Sequence, residues 1–145
     1  MAKIKALVQQ ILDEQGLTKA PIPVERIAQN LGVELRYEPF KAEGDEVSGM
    51  LFRDGGRTVI GVNSNDGSNR QRFTIAHEIG HLRLHKDPMY LDTPSEVFLR
   101  SQLSSKAVDP KEIQANTFAA ELLMPEKLLR DEFSKEQSEM SRRFS

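Results

Sequence analysis

The segment His77-Glu78-Ile79-Gly80-His81 constrains this chain more than any other, because it places two histidines four residues apart beside a glutamate. On a helix, residues at this spacing share one face, with Cβ atoms about 5–6 Å apart. Two imidazoles in that position can bind one zinc ion through bonds of about 2.0–2.1 Å. Glu78 then lies near the metal and can take a proton from water. The motif therefore predicts a metal-binding helix; the alternative is a pair of structural histidines satisfied by hydrogen bonds.

The residues around this motif predict a buried helix over about residues 69–85. Its polar side chains fall within one arc of about 100°, and most of the remaining surface is apolar. Because unpaired buried polar groups are costly, the polar arc requires partners elsewhere in the fold. The arc contains Thr74, His77, Glu78, His81 and His85.

A catalytic zinc usually has three protein ligands and one open position, so a third ligand is expected. His85 follows His77 by eight residues. That separation is about 12 Å along a helix axis, too far for one ion to reach. We interpret His85 as a residue outside the ligand set or at the helix end. The remaining candidates are the downstream carboxylates of Asp87, Asp92, Glu96, Asp109, Glu112, Glu121 and Glu126.

The helix predicted over residues 110–123 favours Glu112 among these carboxylates. Glu112 shares a face with small and apolar residues, where a lone carboxylate would be costly without a cation. Asn116, one turn later, can accept the ring N–H of a ligand histidine. Glu121 falls on the opposite face, and we interpret it as a solvated charge. Two alternatives stay open. Either the Glu112 carboxylate only interacts with the positive end of the helix dipole, or Glu96 is the ligand.

The other patterns predict an α+β domain, with a small antiparallel or mixed three-stranded sheet and flanking helices. The predicted active-site helix resembles that of the zincins, which carry the same H-E-x-x-H motif. Asp54-Gly55-Gly56 predicts a hairpin turn between strands rich in β-branched residues. Residues 86–108 are expected to be mostly loop, and residues 1–145 to form a single domain. The predicted helices cover about 3–15, 24–31, 69–85, 110–123 and a segment from Pro125, and the predicted strands cover 33–37, 48–53 and 57–63.

Composition narrows the class of protein further. The absence of cysteine excludes disulfides and cysteine-based zinc sites, and it fits a reducing cytoplasm. The formal net charge of −2 argues against nucleic-acid binding. No apolar run approaches the ~20 residues needed to span a bilayer, and Gln9 and Gln10 interrupt any signal-peptide pattern. We therefore expect a cytoplasmic protein with no nucleic-acid or membrane partner.

Two blocks of the sequence resemble the ImmA/IrrE family of metallo-endopeptidases. The first runs from Arg72 to His81 and includes His85, and the second runs from Glu112 to Pro125 and ends in Leu-Leu-Met-Pro. The resemblance spans about residues 24–133. It implies an HExxH zinc protease similar to a minimal gluzincin. Its Zn²⁺ ligands would be His77, His81 and Glu112, with Glu78 as the general base. Another divalent metal in place of zinc stays an alternative.

The resemblance also implies a protein substrate. Some members cleave a helix-turn-helix repressor, which switches on mobile-element excision or a DNA-damage response. Many members continue past the Arg142-Arg143-Phe144 region into another helix, so we expect this chain to be truncated there or to be a short member.

The predicted reaction is hydrolysis of a peptide bond, in which Glu78 passes a proton from water to the leaving amine. We expect the substrate to lie extended along an edge strand of the 48–63 hairpin. Tyr90 and His85 are candidate donors to the tetrahedral oxyanion. The main alternative is a regulatory module with a structural zinc that inactivates a repressor by docking without cleavage. A further alternative is a toxin-like or regulatory protein without a metal.

Overall fold

The computed structural model describes residues 2–42, 45–93 and 109–144, and these form an α+β fold, as predicted. Helices and strands alternate irregularly along the chain, and the core lies between the helices and one face of the larger sheet. The helices are α1 Ala2–Glu14, α2 Val24–Asn30, α3 Ser68–Leu84, α4 Pro110–Leu123 and α5 Glu126–Phe144. The strands are β1 Val33–Glu38, β2 Lys41–Ala42, β3 Asp45–Glu46, β4 Gly49–Asp54, β5 Arg57–Asn63 and β6 Met89–Asp92.

The larger sheet has four strands in the order β1-β5-β4-β6, and β2 and β3 form a separate two-stranded sheet. β1 runs parallel to β5, whereas β4 is antiparallel to both β5 and β6. The sheet is therefore mixed, as predicted, but it contains one strand more than expected. The expectation of loop over residues 86–108 is wrong at β6; residues 94–108 lie outside the described part of the chain.

β6 could not be predicted from its own residues, because it is short and becomes a strand by pairing with β4. Its four residues, Met89 to Asp92, lie opposite Gly49 to Phe52 of β4. They show no polar–apolar alternation, although their burial alternates, with Tyr90 and Asp92 directed inward. The long-range pairing onto β4 thus decides the conformation of this segment.

The expected hairpin is present, with positive φ angles of 54° at Gly55 and 87° at Gly56 in its turn. Glycine suits both positions because it adopts positive φ without steric cost. However, β4 lies between β5 and β6, and β5 lies between β1 and β4. The expectation that a substrate adds to an edge of this hairpin is therefore wrong. In the described chain, β1 and β6 are the edges of the larger sheet.

α3 passes through the middle of the fold and packs closely against α4. A Cβ atom at Gly80 would lie 3.2 Å from both Cα and O of Ala115 and 3.1 Å from Cδ1 of Phe118. The small residues at this crossing let the two backbones approach each other. As a result, the histidine-bearing face of α3 is held against the first turns of α4. None of the described helices is long and apolar enough to cross a bilayer.

Substituting Gly80 with valine should destabilise the fold by roughly 1–3 kcal/mol, because the added atoms would enter a fully packed contact with backbone on one side. Urea unfolding of the metal-free protein measures the change. Arg83→Val is the control for the low helix propensity of valine, since Arg83 is exposed on the same helix. Equal losses in the two variants would contradict the proposed close contact.

Candidate metal centre

The imidazoles of His77 and His81 project from α3 towards a single carboxylate on α4. His77 Nε2 lies 3.1 Å from Glu112 Oε1, and His81 Nε2 lies 2.9 Å from Glu112 Oε2. Both histidines are fully buried, and Glu112 is 7% exposed. The structure thus brings together the three side chains that the sequence singled out as ligands.

A fourth side chain, Asp92 from the end of β6, completes the cluster. Its Oδ2 lies 3.3 Å from His77 Nε2 and 3.4 Å from His81 Nε2. One candidate ligand atom from each of the four residues lies within 4.8 Å of every other. Sequence reasoning counted Asp92 among the possible carboxylates but did not select it, because the choice of Glu112 rested on the helix face that Glu112 shares with small and apolar residues.

Hydrogen bonds on the far side of each ring fix which nitrogen faces the cluster. His77 Nδ1 lies 2.7 Å from the side-chain oxygen of Asn116, which is the contact expected from the sequence. An amide oxygen only accepts, so Nδ1 of His77 donates. The lone pair of the neutral ring is then on Nε2, which faces Glu112 and Asp92.

His81 is oriented by a relay through His85. His85 Nε2 lies 2.7 Å from the side-chain oxygen of Gln114 and therefore donates to it. His85 Nδ1 is then the acceptor for Nδ1 of His81, at 3.0 Å. Burial lowers the pKa of His85, which favours the neutral ring that this relay requires. Sequence reasoning missed Gln114, because it lies on the exposed face of α4 and reaches the site only through its long side chain.

Tyr90 and His85, the two candidate oxyanion donors, are both engaged in other contacts. The Tyr90 ring stacks on His81 with centroids 3.9 Å apart and planes within 8°. Its hydroxyl donates to Asp87 Oδ2 at 3.0 Å. An oxyanion role would require either residue to break a hydrogen bond, and that role stays a prediction.

Glu78 lies on α3 between the two histidines and is fully buried. Its carboxylate occupies space that β4 leaves free at Gly49, where a Cβ atom would come within 3.2 Å of Glu78 Oε2 and 2.3 Å of Thr74 Cγ2. Glu78 also contributes to lowering the pKa of Asp92, so it belongs to the same electrostatic unit. The glycine therefore makes room for a carboxylate beside the cluster.

Neighbouring charges and burial act in opposite directions on the pKa values of the histidines and of Asp92 in this cluster. Burial alone would lower the pKa of His77, but the neighbouring carboxylates of Asp92 and Glu112 outweigh burial and raise it to about 9. The same opposing causes raise the pKa of His81. For Asp92, burial would raise the pKa, but His77 and His81 outweigh it and hold the carboxyl ionised. Without a metal, protons on the imidazoles therefore balance the carboxylates.

These residues fit a divalent metal ion. In the described part of the chain, His81 Nε2 and Asp92 Oδ2 make no directed hydrogen bond, although each faces groups of the cluster. Three buried carboxylates so close together are costly unless cations balance them. Two imidazole nitrogens and carboxylate oxygens form a donor set suited to zinc. A divalent cation would satisfy the unpaired atoms and replace the imidazole protons.

The other candidate carboxylates lie elsewhere. The interpretation of Glu121 as a solvated charge is wrong: it is 9% exposed, and its Oε2 accepts the backbone N–H of Glu126 at 3.3 Å. This arises because α5 begins beside the end of α4, a contact that a helical projection of α4 alone does not contain. Asp109 caps α4, and Glu126 pairs with Lys5 and Arg130. Asp87 pairs with Lys111, and Glu96 lies outside the described residues.

Removing the Asn116 contact should weaken metal binding by roughly 10- to 100-fold, as is usual for groups that orient a ligand histidine. Asn116→Ala leaves Nδ1 of His77 without its acceptor and frees the ring to rotate. A competition titration against a chromophoric chelator measures the affinity. Thr117→Ala, in the neighbouring position of α4, is the control, and equal affinities of the two variants would contradict the orienting role.

Together, the helix bearing both histidines and Glu78, the acid on the following helix and the mixed sheet beside them define a candidate metal centre of the HExxH type. The chain belongs to the Peptidase M78 family, described as the IrrE N-terminal-like domain, whose family model matches residues 28–145. This confirms the resemblance inferred from the two sequence blocks. Membership in a metallopeptidase family implies a divalent metal.

Three relatives illustrate this membership. The chain is 31% identical over 123 residues to uncharacterized immunity region protein 2 of Bacillus phage phi105, covering 85% of this chain and 69% of the relative. It is 35% identical to metallopeptidase ImmA of Bacillus subtilis, covering 63% and 54% of the two chains. It is 33% identical to radiation response metalloprotease IrrE of Deinococcus radiodurans, covering 68% and 27%. The chain therefore spans about half or less of the two named metallopeptidases.

Proposed function

We propose that this protein is a zinc-dependent endopeptidase that hydrolyses a peptide bond in a protein substrate. The observation that carries the proposal is the convergence of His77, His81 and Glu112 beside the buried carboxylate of Glu78. When bound, the zinc ion would polarise the scissile carbonyl and make water more acidic. Family membership supports the same class of reaction.

In this proposal, His77, His81 and Glu112 hold the metal, and Asn116 and His85 keep the two imidazoles in their binding tautomers. Glu78 takes a proton from the attacking water and delivers it to the nitrogen of the leaving amine. Its complete burial keeps bulk water from competing for that proton.

We place the substrate along β6 rather than along the hairpin. In the described chain, β6 pairs only with β4, and its Met89 and Leu91 side chains are 50% and 49% exposed. An extended peptide added to this edge would run past Asp92 and hence past the cluster. N-methylation of alternate backbone amides in a peptide substrate should raise KM at the positions that pair with β6. If methylation at every position leaves KM unchanged, the edge pairing is wrong.

As the substrate we propose a helix-turn-helix repressor, with the reaction taking place in the cytoplasm. The family resemblance supports this choice, and the name of one relative places it in the immunity region of a phage, as expected for a mobile element. The absence of cysteine suits a reducing compartment. The net charge of −2 favours a protein partner over nucleic acid.

The test is incubation of the zinc-loaded protein with the helix-turn-helix repressor encoded by a neighbouring gene, followed by mass spectrometry of the fragments. We expect defined fragments that disappear when a chelator is added and return with zinc. The alternative, a docking module with a structural zinc, is favoured by the four protein side chains around one point. It predicts that the repressor leaves its DNA without being cut, and that outcome would replace the peptidase proposal.

A further inference from the structure

We infer that Asp92 is a fourth ligand of the metal and closes the coordination sphere of the resting protein, so that the peptidase is latent until Asp92 is displaced. The inference rests on the proposed metal site. Asp92 lies at the end of β6, whereas the histidines lie on α3 and Glu112 lies on α4. Two geometric observations carry the inference: the position of Asp92 relative to the ring nitrogens, and the lack of a directed hydrogen bond to its Oδ2 among the described residues.

The distances around Asp92 Oδ2 match those between ligands of one ion. Four ligands bound tetrahedrally at about 2.0–2.1 Å lie about 3.3–3.4 Å from one another. Asp92 Oδ2 lies 3.3 Å from His77 Nε2 and 3.4 Å from His81 Nε2. Asp92 Oδ2 therefore lies where an oxygen could share one ion with both imidazoles.

The side of the rings that Asp92 faces separates a ligand from an orienting group. A carboxylate that only orients a ligand histidine binds the ring nitrogen remote from the metal. Those nitrogens are already engaged, since Nδ1 of His77 contacts Asn116 and Nδ1 of His81 contacts His85. Asp92 instead faces Nε2 of both rings. In the described chain its Oδ2 makes no directed hydrogen bond, although it lies at ion-pair distance from both rings. A metal ion bound to both Nε2 atoms would take the place of the imidazole protons and satisfy this oxygen.

The backbone around Asp92 holds it in this position. Its carbonyl accepts the backbone N–H of Ser48 at 2.8 Å, and the residue lies opposite Gly49 in the ladder between β6 and β4. Two residues earlier, Tyr90 stacks on the ring of His81. The residue is 1% exposed, so no bulk water competes for its carboxylate. The sheet thus presents Asp92 to the cluster in the resting state.

Four protein ligands are typical of structural zinc, whereas catalytic zinc keeps one position for water or substrate. A peptidase with four protein ligands on its metal is consistent with this rule if the four-ligand state is an inactive resting state. Activation would require the Asp92 carboxylate to leave the metal, so that an oxygen of the substrate carbonyl or of water could take its position. A peptide that adds to β6 reaches the strand that carries Asp92, which links substrate binding to this exchange.

The experiment loads Co²⁺ into the parent protein, Asp92→Asn and Asp92→Ala, and titrates each with azide while recording the visible absorption spectrum. Asparagine keeps the shape of the side chain, and alanine removes it. If one of the two variants fails to fold, the other still tests the inference. Asp54→Ala removes an exposed carboxylate from the hairpin turn and serves as the control. We expect azide to change the spectra of both Asp92 variants at concentrations that leave the parent and Asp54→Ala unchanged. The Kd for Zn²⁺ should also rise at least about 10-fold in the Asp92 variants.

Azide binding to the parent with the same affinity as to the variants would overturn the inference, because the fourth position would then be open already. An unchanged Kd for Zn²⁺ would do the same. Peptidase assays on the zinc-loaded proteins keep the two proposals apart. If no variant cleaves any substrate while the azide results are as expected, the peptidase proposal fails and the fourth ligand stands.

Discussion

Replacing Glu78 with glutamine is expected to lower kcat/KM by about 10²- to 10⁴-fold, the usual contribution of a general base. Glutamine has the same shape and fits the space beside Gly49, but it cannot take a proton from water. The residue is fully buried, so a proton acceptor from solvent cannot replace it. Because Glu78 is not among the proposed ligands, the variant should bind as much zinc as the parent.

This expectation is checked by measuring peptide cleavage, zinc content and thermal unfolding on the same preparations. Glu121→Gln is the matched control, since Glu121 is also a buried glutamate, at 9% exposure, and its side chain accepts a backbone N–H that glutamine can still accept. A Glu78→Gln protein that cleaves as fast as Glu121→Gln would remove Glu78 from the mechanism. Loss of zinc from Glu78→Gln would instead make it a ligand.

Features that depend on local sequence could be predicted. The apolar periodicity around the HExxH motif placed a helix over about 69–85, and α3 covers Ser68–Leu84. The glycine pair at 55–56 located the hairpin, because only a few residue types adopt the backbone angles of that turn. The face of α4 that carries Glu112 and Asn116 also followed from periodicity alone. The structure places both side chains against His77.

Features that depend on contacts between distant segments could not be predicted. β6 has no alternation of its own and becomes a strand through β4, so Asp92 could not be placed near α3 from the sequence. Glu121 lies on the outer side of α4 in a helical projection, yet the start of α5 covers it. Gln114 reaches His85 through a long exposed side chain. In each case the partner lies on another element, and helical periodicity carries no information about it.

Replacing Glu112 with glutamine is expected to weaken zinc binding by more than the roughly 10- to 100-fold typical of orienting residues. The carboxylate approaches both imidazoles, with Oε1 at 3.1 Å from His77 Nε2 and Oε2 at 2.9 Å from His81 Nε2. A neutral amide keeps the shape but loses the charge that favours a cation. Chelator competition measures the affinity, with Glu121→Gln as the control on the same helix.

The same substitution has a second consequence that does not depend on metal. In the metal-free protein, burial lowers the pKa of His77, while Asp92 and Glu112 raise it to a net value of about 9. Proton binding to His77 therefore stabilises the fold below its unfolded pKa of about 6.5, and this contribution is lost as the pH rises through about 9. Glu112→Gln should shift the NMR titration of His77 to lower pH. Unchanged zinc affinity together with an unchanged His77 titration would mean that Glu112 does not act on the imidazoles at all, and the metal centre would have to be sought elsewhere.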